Sequence, residues 1–293
     1  MHRFLRAVGF SNIIARQDID KLLGHIMNDP TVKKQAEIDS ENKYTEISKE
    51  FAHRIGITIR GEYDKFGFFH LEHYYPYCES SLITSNTDVT INRRVDTTAY
   101  TAMCDDIRLG ISMIFYLQNA VDYLQLGYTD NTPHKAKLTL SGLSLKGTIL
   151  LGIEQSEESK LRHKYETRIK NQLFIRAKKG DQDAIDSLTI DELDLSARIA
   201  KRIKNEDLYS IVDNSFFPYG SESDNYMIIG TIINWSKNNN SYTGEEVYEL
   251  LLNCNDIVIN VSINQKDLVG EPMIGRRFKG MIWMQGHVDF HCM

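Results

Sequence analysis

The chain has no Cys-x-x-Cys pair; its four cysteines, Cys78, Cys104, Cys254 and Cys292, lie far apart. That spacing argues against a disulfide scaffold and predicts reduced, mostly buried thiols. Only 5 prolines and 18 glycines occur in 293 residues, too few for long disordered linkers. No stretch approaches eighteen apolar residues. The richest, Ile107 to Leu126, carries Arg108, Gln118, Asn119, Asp122 and Gln125, so no membrane span is predicted. Met1-His2-Arg3-Phe4-Leu5-Arg6 leads into a mixed sequence, which predicts no secretory signal. There is no internal repeat, no Gly-x-Ser-x-Gly elbow and no dinucleotide fingerprint. Cations are outnumbered: a net charge of −6 argues against broad affinity for nucleic acid or anionic membranes.

What is present is ordinary for a globular protein, with 42% hydrophobic and 25% charged residues. The length suits two domains and a sizeable core. The acidic excess sits late: from Ile211 to Met293 there are five Lys/Arg against ten Asp/Glu.

Ile19, Leu22, Leu23, Ile26 and Met27 share one face of a helix over Asp18–Asn28, stopped by Asp29-Pro30. Thr31 to Asn42 is polar and reads as helical or irregular. Gly56–Tyr63 and Gly67–Tyr75 flank Asp64-Lys65-Phe66-Gly67 as a β-hairpin. Asp88–Val95, Ala99–Cys104, Arg108–Leu117, Ala136–Leu140 and Lys146–Ile153 read as further strands of an antiparallel meander, with a short helix at Asn119–Leu126. Leu161, Tyr165, Ile169, Leu173 and Ala177 form a helical stripe over Glu157–Lys179. A short helix follows at Asp181–Leu188. Thr189-Ile190-Asp191-Glu192 has the pattern of a capping box that opens another helix, to about Asn205. Strands then return at Tyr226–Trp235, Glu246–Leu252, Ile257–Ile263 and Arg277–Gln285, with turns at Lys237–Ser241 and Asn253–Asp256. The expected fold is α+β, in three parts. Residues 1–155 form an antiparallel β-rich domain with peripheral helices, 156–209 a helical connector, and 210–293 a small β-barrel-like module.

Several segments carry a resemblance. The opening Met1-His2-Arg3-Phe4-Leu5-Arg6-Ala7-Val8-Gly9-Phe10-Ser11 is one. Gly180-Asp181-Gln182-Asp183-Ala184-Ile185 is a second, and Ser210-Ile211-Val212-Asp213 with Pro218-Tyr219-Gly220 a third. With the glycine-rich tail, their order is similar to a bacterial family known only as a domain of unknown function. The similarity runs from Met1 to about Phe290, and the ending His291-Cys292-Met293 departs from it. The resemblance implies an intracellular bacterial protein with one full-length architecture. It implies no activity, cofactor or catalytic residue.

His70-x-x-His73 with Cys78 is the most metal-like group, but strand alternation puts His70 and His73 on opposite faces, so no metal site is expected. His287, His291 and Cys292 lie near a chain end and carry little weight. Cys254, in an Asn-Cys-Asn turn, reads as a turn residue open to solvent. Gly270-x4-Gly275-Arg276 echoes a phosphate loop. It lacks the lysine and the hydroxyl, Pro272 removes a donor, and a strand follows in place of a helix, so it reads as a tight turn.

The favoured binding surface is Arg276, Arg277, Lys279 and Trp283, with Glu271. On a strand, Arg277, Lys279 and Trp283 share one face, where cations beside an aromatic clamp an anion or stack a base. The plainer alternative has Phe278, Ile282 and Met284 lining a barrel, the cations solvated, and Glu271 paired with an arginine. The leading functional expectation is a non-catalytic cytoplasmic binding or scaffold protein with no cofactor. A protein or small-molecule partner is favoured over nucleic acid, and no membrane partner is expected. The alternative is an enzyme whose site is assembled between the two β regions. A third reading is single-stranded nucleic-acid binding by the C-terminal module.

Overall fold

Ile55, Ile57 and Ile59 alternate with Gly56, Thr58 and Arg60, so a strand here presents one apolar and one polar face. The computed structural model describes residues 2–37, 43–94, 99–106, 108, 111–127, 133–152, 165, 168–169, 172–173, 175–177, 179–190 and 214–290. In it β1 (Val32–Glu37), β2 (Lys43–Ala52), β3 (Ile55–Tyr63) and β4 (Phe69–Cys78) form an antiparallel sheet in chain order. The expected hairpin is β3–β4. Asp64 Oδ1 accepts from the Phe66 and Phe68 amides at 2.9 Å each, and Gly67 takes φ +83°, a left-handed turn position. Val32–Glu37 is an edge strand, not helical or irregular. Its side chains are nearly all exposed, so hydrophobic periodicity could not mark it, and Lys33 and Lys34 are edge residues of the kind that discourage further pairing.

The remaining strands are β5 (Ser85–Arg93), β6 (Tyr100–Asp106), β7 (Ile111–Leu117), β8 (His134–Leu150), β9 (Ser215–Pro218), β10 (Asn225–Asn239), β11 (Glu246–Cys254), β12 (Ile257–Asn264), β13 (Leu268–Val269) and β14 (Arg277–Asp289). The two strands expected at Ala136–Leu140 and Lys146–Ile153 are one, β8. It pairs antiparallel with β14 from Lys137 to Leu150 and forms a central ribbon. Each side of the ribbon closes a ring. One runs β8-β5-β6-β7-β14, the other β8-β12-β11-β10-β14. The fold is thus α+β with a barrel-like β module, in which two fused rings share two strands. Parallel pairings of β12 with β8 and of β14 with β7 interrupt the expected meander, because the rings close through strands far apart in sequence. The boundary expected at residue 155 falls between β8 and β9, and ladder bonds from β8 to β12, β13 and β14 cross it.

Apolar residues fill the rings, among them Phe278, Ile282 and Met284 of β14 with Leu140, Leu250, Leu252 and Ile228. Gly147 and Gly280 are register partners across the ribbon, and the Phe278 ring occupies the space both leave. A Cβ on Gly147 would lie 2.3 Å from that ring. Gly147→Ala is therefore expected to lower the unfolding free energy by about 1–3 kcal/mol through overpacking, read from the urea midpoint.

A second core joins the sheet's apolar face to helix α1 (Arg16–Asn28) and a 3-10 segment at Arg3–Val8. Helix α1 buries Ile19, Leu22, Leu23 and Ile26 as expected, while Met27 is exposed. The short helix expected near residue 119 is α2 (Ala120–Gln125). Residues 182–190 are helical. Thr189 sits inside that helix, its hydroxyl donating to the Ile185 carbonyl at 2.9 Å, so it does not cap a new one. The helices expected at Glu157–Lys179 and beyond Asp191 lie largely or wholly outside the described residues. The turn expected at Lys237–Ser241 starts later, because β10 runs on to Asn239. There Asn240 Oδ1 accepts from the Tyr242 and Thr243 amides.

Candidate functional site

The apolar face of the four-stranded sheet meets helix; its polar face meets the rings. Strand alternation brings Lys34 of β1, Glu46, Ser48 and Glu50 of β2, Thr58 and Arg60 of β3, and Tyr75 and Tyr77 of β4 to that polar face. Register aligns them, with Lys34 beside Glu46, Ser48 beside Thr58, Glu46 beside Arg60 and Thr58 beside Tyr75. Opposite stand Gln118 and Asn119 before α2, and Thr139 of β8 with its register partner His287 of β14. The two walls enclose a chamber of about 300 Å³. It is at the small end of ligand pockets. Glu46 lies deep, while Glu50 and Glu79 sit at its exposed mouth.

Arg60 is wholly buried and bonds to the lining residues Glu46, Tyr75 and Gln118. Its Nη1 donates to Tyr116 Oη at 2.8 Å, and its Nη2 donates to the Leu117 and Gln118 carbonyls at 2.9 Å each and to Tyr75 Oη at 3.1 Å. Nη2 also lies 2.6 Å from Glu46 Oε1. The Tyr75 and Tyr116 rings flank the guanidinium, 4.7 and 5.1 Å from its carbon. A buried guanidinium keeps its proton and demands a counter-charge, which Glu46 supplies. Burial pushes the Glu46 carboxyl above its ordinary range, and Arg60 opposes that rise. The crowded walls, and then the like charge of Glu50, raise Glu79. Burial lowers His287, which is therefore a neutral imidazole near neutral pH. His73, behind the wall, is lowered to about 3 by burial and then by Arg60, and its Nε2 lies 2.9 Å from Tyr116 Oη.

The residues singled out from the sequence are elsewhere. Arg277 is 4% exposed, its Nε donating to the Leu151 carbonyl at 2.9 Å. Trp283 is 6% exposed, stacked on Phe4 at 5.3 Å, with Nε1 donating to Asp224 Oδ2 at 2.9 Å. Lys279 is half-buried on β14. Arg276 Nη1 donates to the Glu271 backbone carbonyl at 2.9 Å, a bond across the turn and not to the Glu271 carboxylate. Gly270 and Gly275 hold left-handed φ of +91° and +85°. His70 is exposed with Nε2 3.0 Å from Asp64 Oδ2, whereas Cys78 is buried and takes the Asn260 amide at 3.3 Å. Among the described residues no three His, Cys, Asp or Glu side chains gather as a metal would require. Cys254 is buried, not open to solvent. Burial pushes its thiol up to about 12, and the sulfur donates to the Ser215 and Ile229 carbonyls.

Apart from His287, set aside as lying near a chain end, the chamber residues escaped the sequence reading. Their one signal was polar residues at alternate positions on consecutive strands: Glu46, Ser48, Glu50; Thr58, Arg60; Tyr75, Tyr77, Glu79. Such a pattern ordinarily marks a solvated face. Among the described residues no helix is long and apolar enough to cross a membrane.

A sequence model of one family, described as "Domain of unknown function, E. rectale Gene description (DUF3881)", matches residues 5–286. No curated protein and no solved structure matches the chain.

Proposed function

The chain belongs to that family, and because such kinship carries no activity, we propose from the chamber alone that this is a non-catalytic protein binding a small polar molecule between its sheet and its fused rings. The observation that carries the reading is the enclosed polar space itself. Two well-formed β layers meet through charged and hydroxyl side chains around about 300 Å³, where apolar packing would have been more stabilising. Burial of Trp283 and Arg277 weighs against the single-strand nucleic-acid reading, which needs exposed rings for stacking. Free, buried thiols at Cys78, Cys104 and Cys254 support placement in the bacterial cytoplasm. The enzyme reading rests on Glu79 and His287, a raised acid and a neutral imidazole lining one chamber.

Thr139→Trp tests the binding reading, because the indole fills the chamber from the ring side. Native mass spectrometry of the purified chain is expected to show a small-molecule adduct, or ligand-induced stabilisation in a thermal-shift screen, that Thr139→Trp removes without changing the far-UV circular dichroism. Uptake unaffected by Thr139→Trp would move the binding site elsewhere. Chemical turnover of the bound compound would replace the reading with the enzyme one.

A further inference from the structure

We propose that the chamber's ligand is a small organic ammonium ion held at the mouth by the Glu50 and Glu79 carboxylates; this rests on the ligand-binding reading above. Donors and acceptors in the lining are unequal. Gln118 Nε2 is spent on the Cys78 carbonyl at 2.9 Å and Gln285 Oε1 at 3.0 Å. Asn119 Nδ2 is spent on the Val288 carbonyl at 2.9 Å and Asp122 Oδ2 at 3.2 Å. Lys34 Nζ, the one lysine among the described residues of the lining, holds both Asp122 oxygens at 2.8 and 3.0 Å. The Arg60 guanidinium is enclosed by tyrosines, carbonyls and Glu46.

Acceptors, by contrast, are left over. Among the described residues no side chain donates a hydrogen bond to the Glu50 or Glu79 carboxylate, and Arg54 and Lys34 act on Glu79 only through their field. Deeper in, Glu46 is 7% exposed, and its Oε1 touches Arg60 without an aligned hydrogen bond. An anion entering this space meets three carboxylates, against which stand hydroxyls, the His287 ring and the one N–H that Lys34 does not spend on Asp122. An ammonium group brings three donors and the charge that relieves the Glu50–Glu79 repulsion. A bare metal ion fits less well. No three-ligand group exists among the described residues, and about 300 Å³ is organic-molecule space.

Isothermal titration calorimetry of the full chain tests this with four probes: 1,4-diaminobutane, 1,4-butanediol, succinate and calcium ion. The diamine is expected to bind with 1:1 saturation, and the diol, succinate and calcium to bind at least tenfold more weakly. Glu50→Gln and Glu79→Gln, both at the exposed mouth and so without risk to folding, are each expected to weaken the diamine by about tenfold or more, as loss of a charge-assisted bond does. Diamine affinity unchanged in both variants overturns the inference. So does preferential binding of the diol, succinate or calcium. If one of those binds and Thr139→Trp abolishes it, the ligand-binding reading stands while the ammonium inference falls. If none of the four probes binds, the inference falls by that result, and the reading is then decided by the adduct and the Thr139→Trp comparison.

Discussion

Arg60→Met is expected to lower the unfolding free energy by about 3–5 kcal/mol, the cost of stranding the partner of a buried ion pair. Methionine fits the stem's space but leaves Glu46 buried without a counter-charge, and the Leu117 and Gln118 carbonyls and the Tyr75 and Tyr116 hydroxyls lose their shared donor. Arg60→Lys should recover little, since one ammonium offers three donors where the planar fork reaches five oxygens. The decisive comparison is the double variant Glu46→Leu/Arg60→Met. Removing both charges abolishes the uncompensated carboxylate, so the double should be markedly more stable than Arg60→Met alone. Equal urea midpoints for the single and double variants would mean that Glu46 is not the group Arg60 neutralises.

Stability should fall steeply as pH drops from about 6.5 toward 4. His2 and His73 are held neutral by burial, at about 4 and about 3 in the folded chain against 6.5 when unfolded. Because the folded values are depressed, the unfolded chain binds the extra protons. The stability these groups contribute is present above pH 6.5 and is lost as pH falls through the window below it. Each histidine contributes a slope of about 1.4 kcal/mol per pH unit inside its window. Glu46, raised by burial, works the other way, taking up a proton in the folded state. Glu46 opposes them wherever only the folded glutamate takes up a proton, with a slope no larger than that of one histidine, so the two histidines outweigh it. Urea titrations at half-unit pH steps measure the slope, and His73→Gln, which keeps a polar side chain toward Tyr116 without the titration, should flatten it. A slope unchanged by His73→Gln would show that this imidazole is protonated in the folded chain.

Much of the local structure was legible. The β3–β4 hairpin follows from a glycine at a left-handed position between two β-rich runs, and helix α1 from its apolar stripe. The division of β14 into faces also held, since Phe278, Ile282 and Met284 line the ring interior. Edge strand β1 was not legible, because it buries almost nothing. The single long β8 was not either, because its middle, Leu140 to Ser144, is buried on both faces and shows no alternation.

By itself the sequence determined which residues alternate, where the turns fall, and that the last strand turns its apolar face inward. Those are properties of neighbours a few residues apart, set by sterics and hydrophobic periodicity. Only the tertiary structure decided that β8 and β14 pair to close two rings, and that the polar face of the first sheet meets those rings and not water. Arg60 and its carbonyl partner Gln118 are 58 positions apart, and Thr139 and the His287 carbonyl 148. Burial, not composition, turned a row of glutamates, hydroxyls and tyrosines from an ordinary wet face into an enclosed chamber. The same burial placed Trp283 and Arg277 beneath the surface on which the sequence had set them.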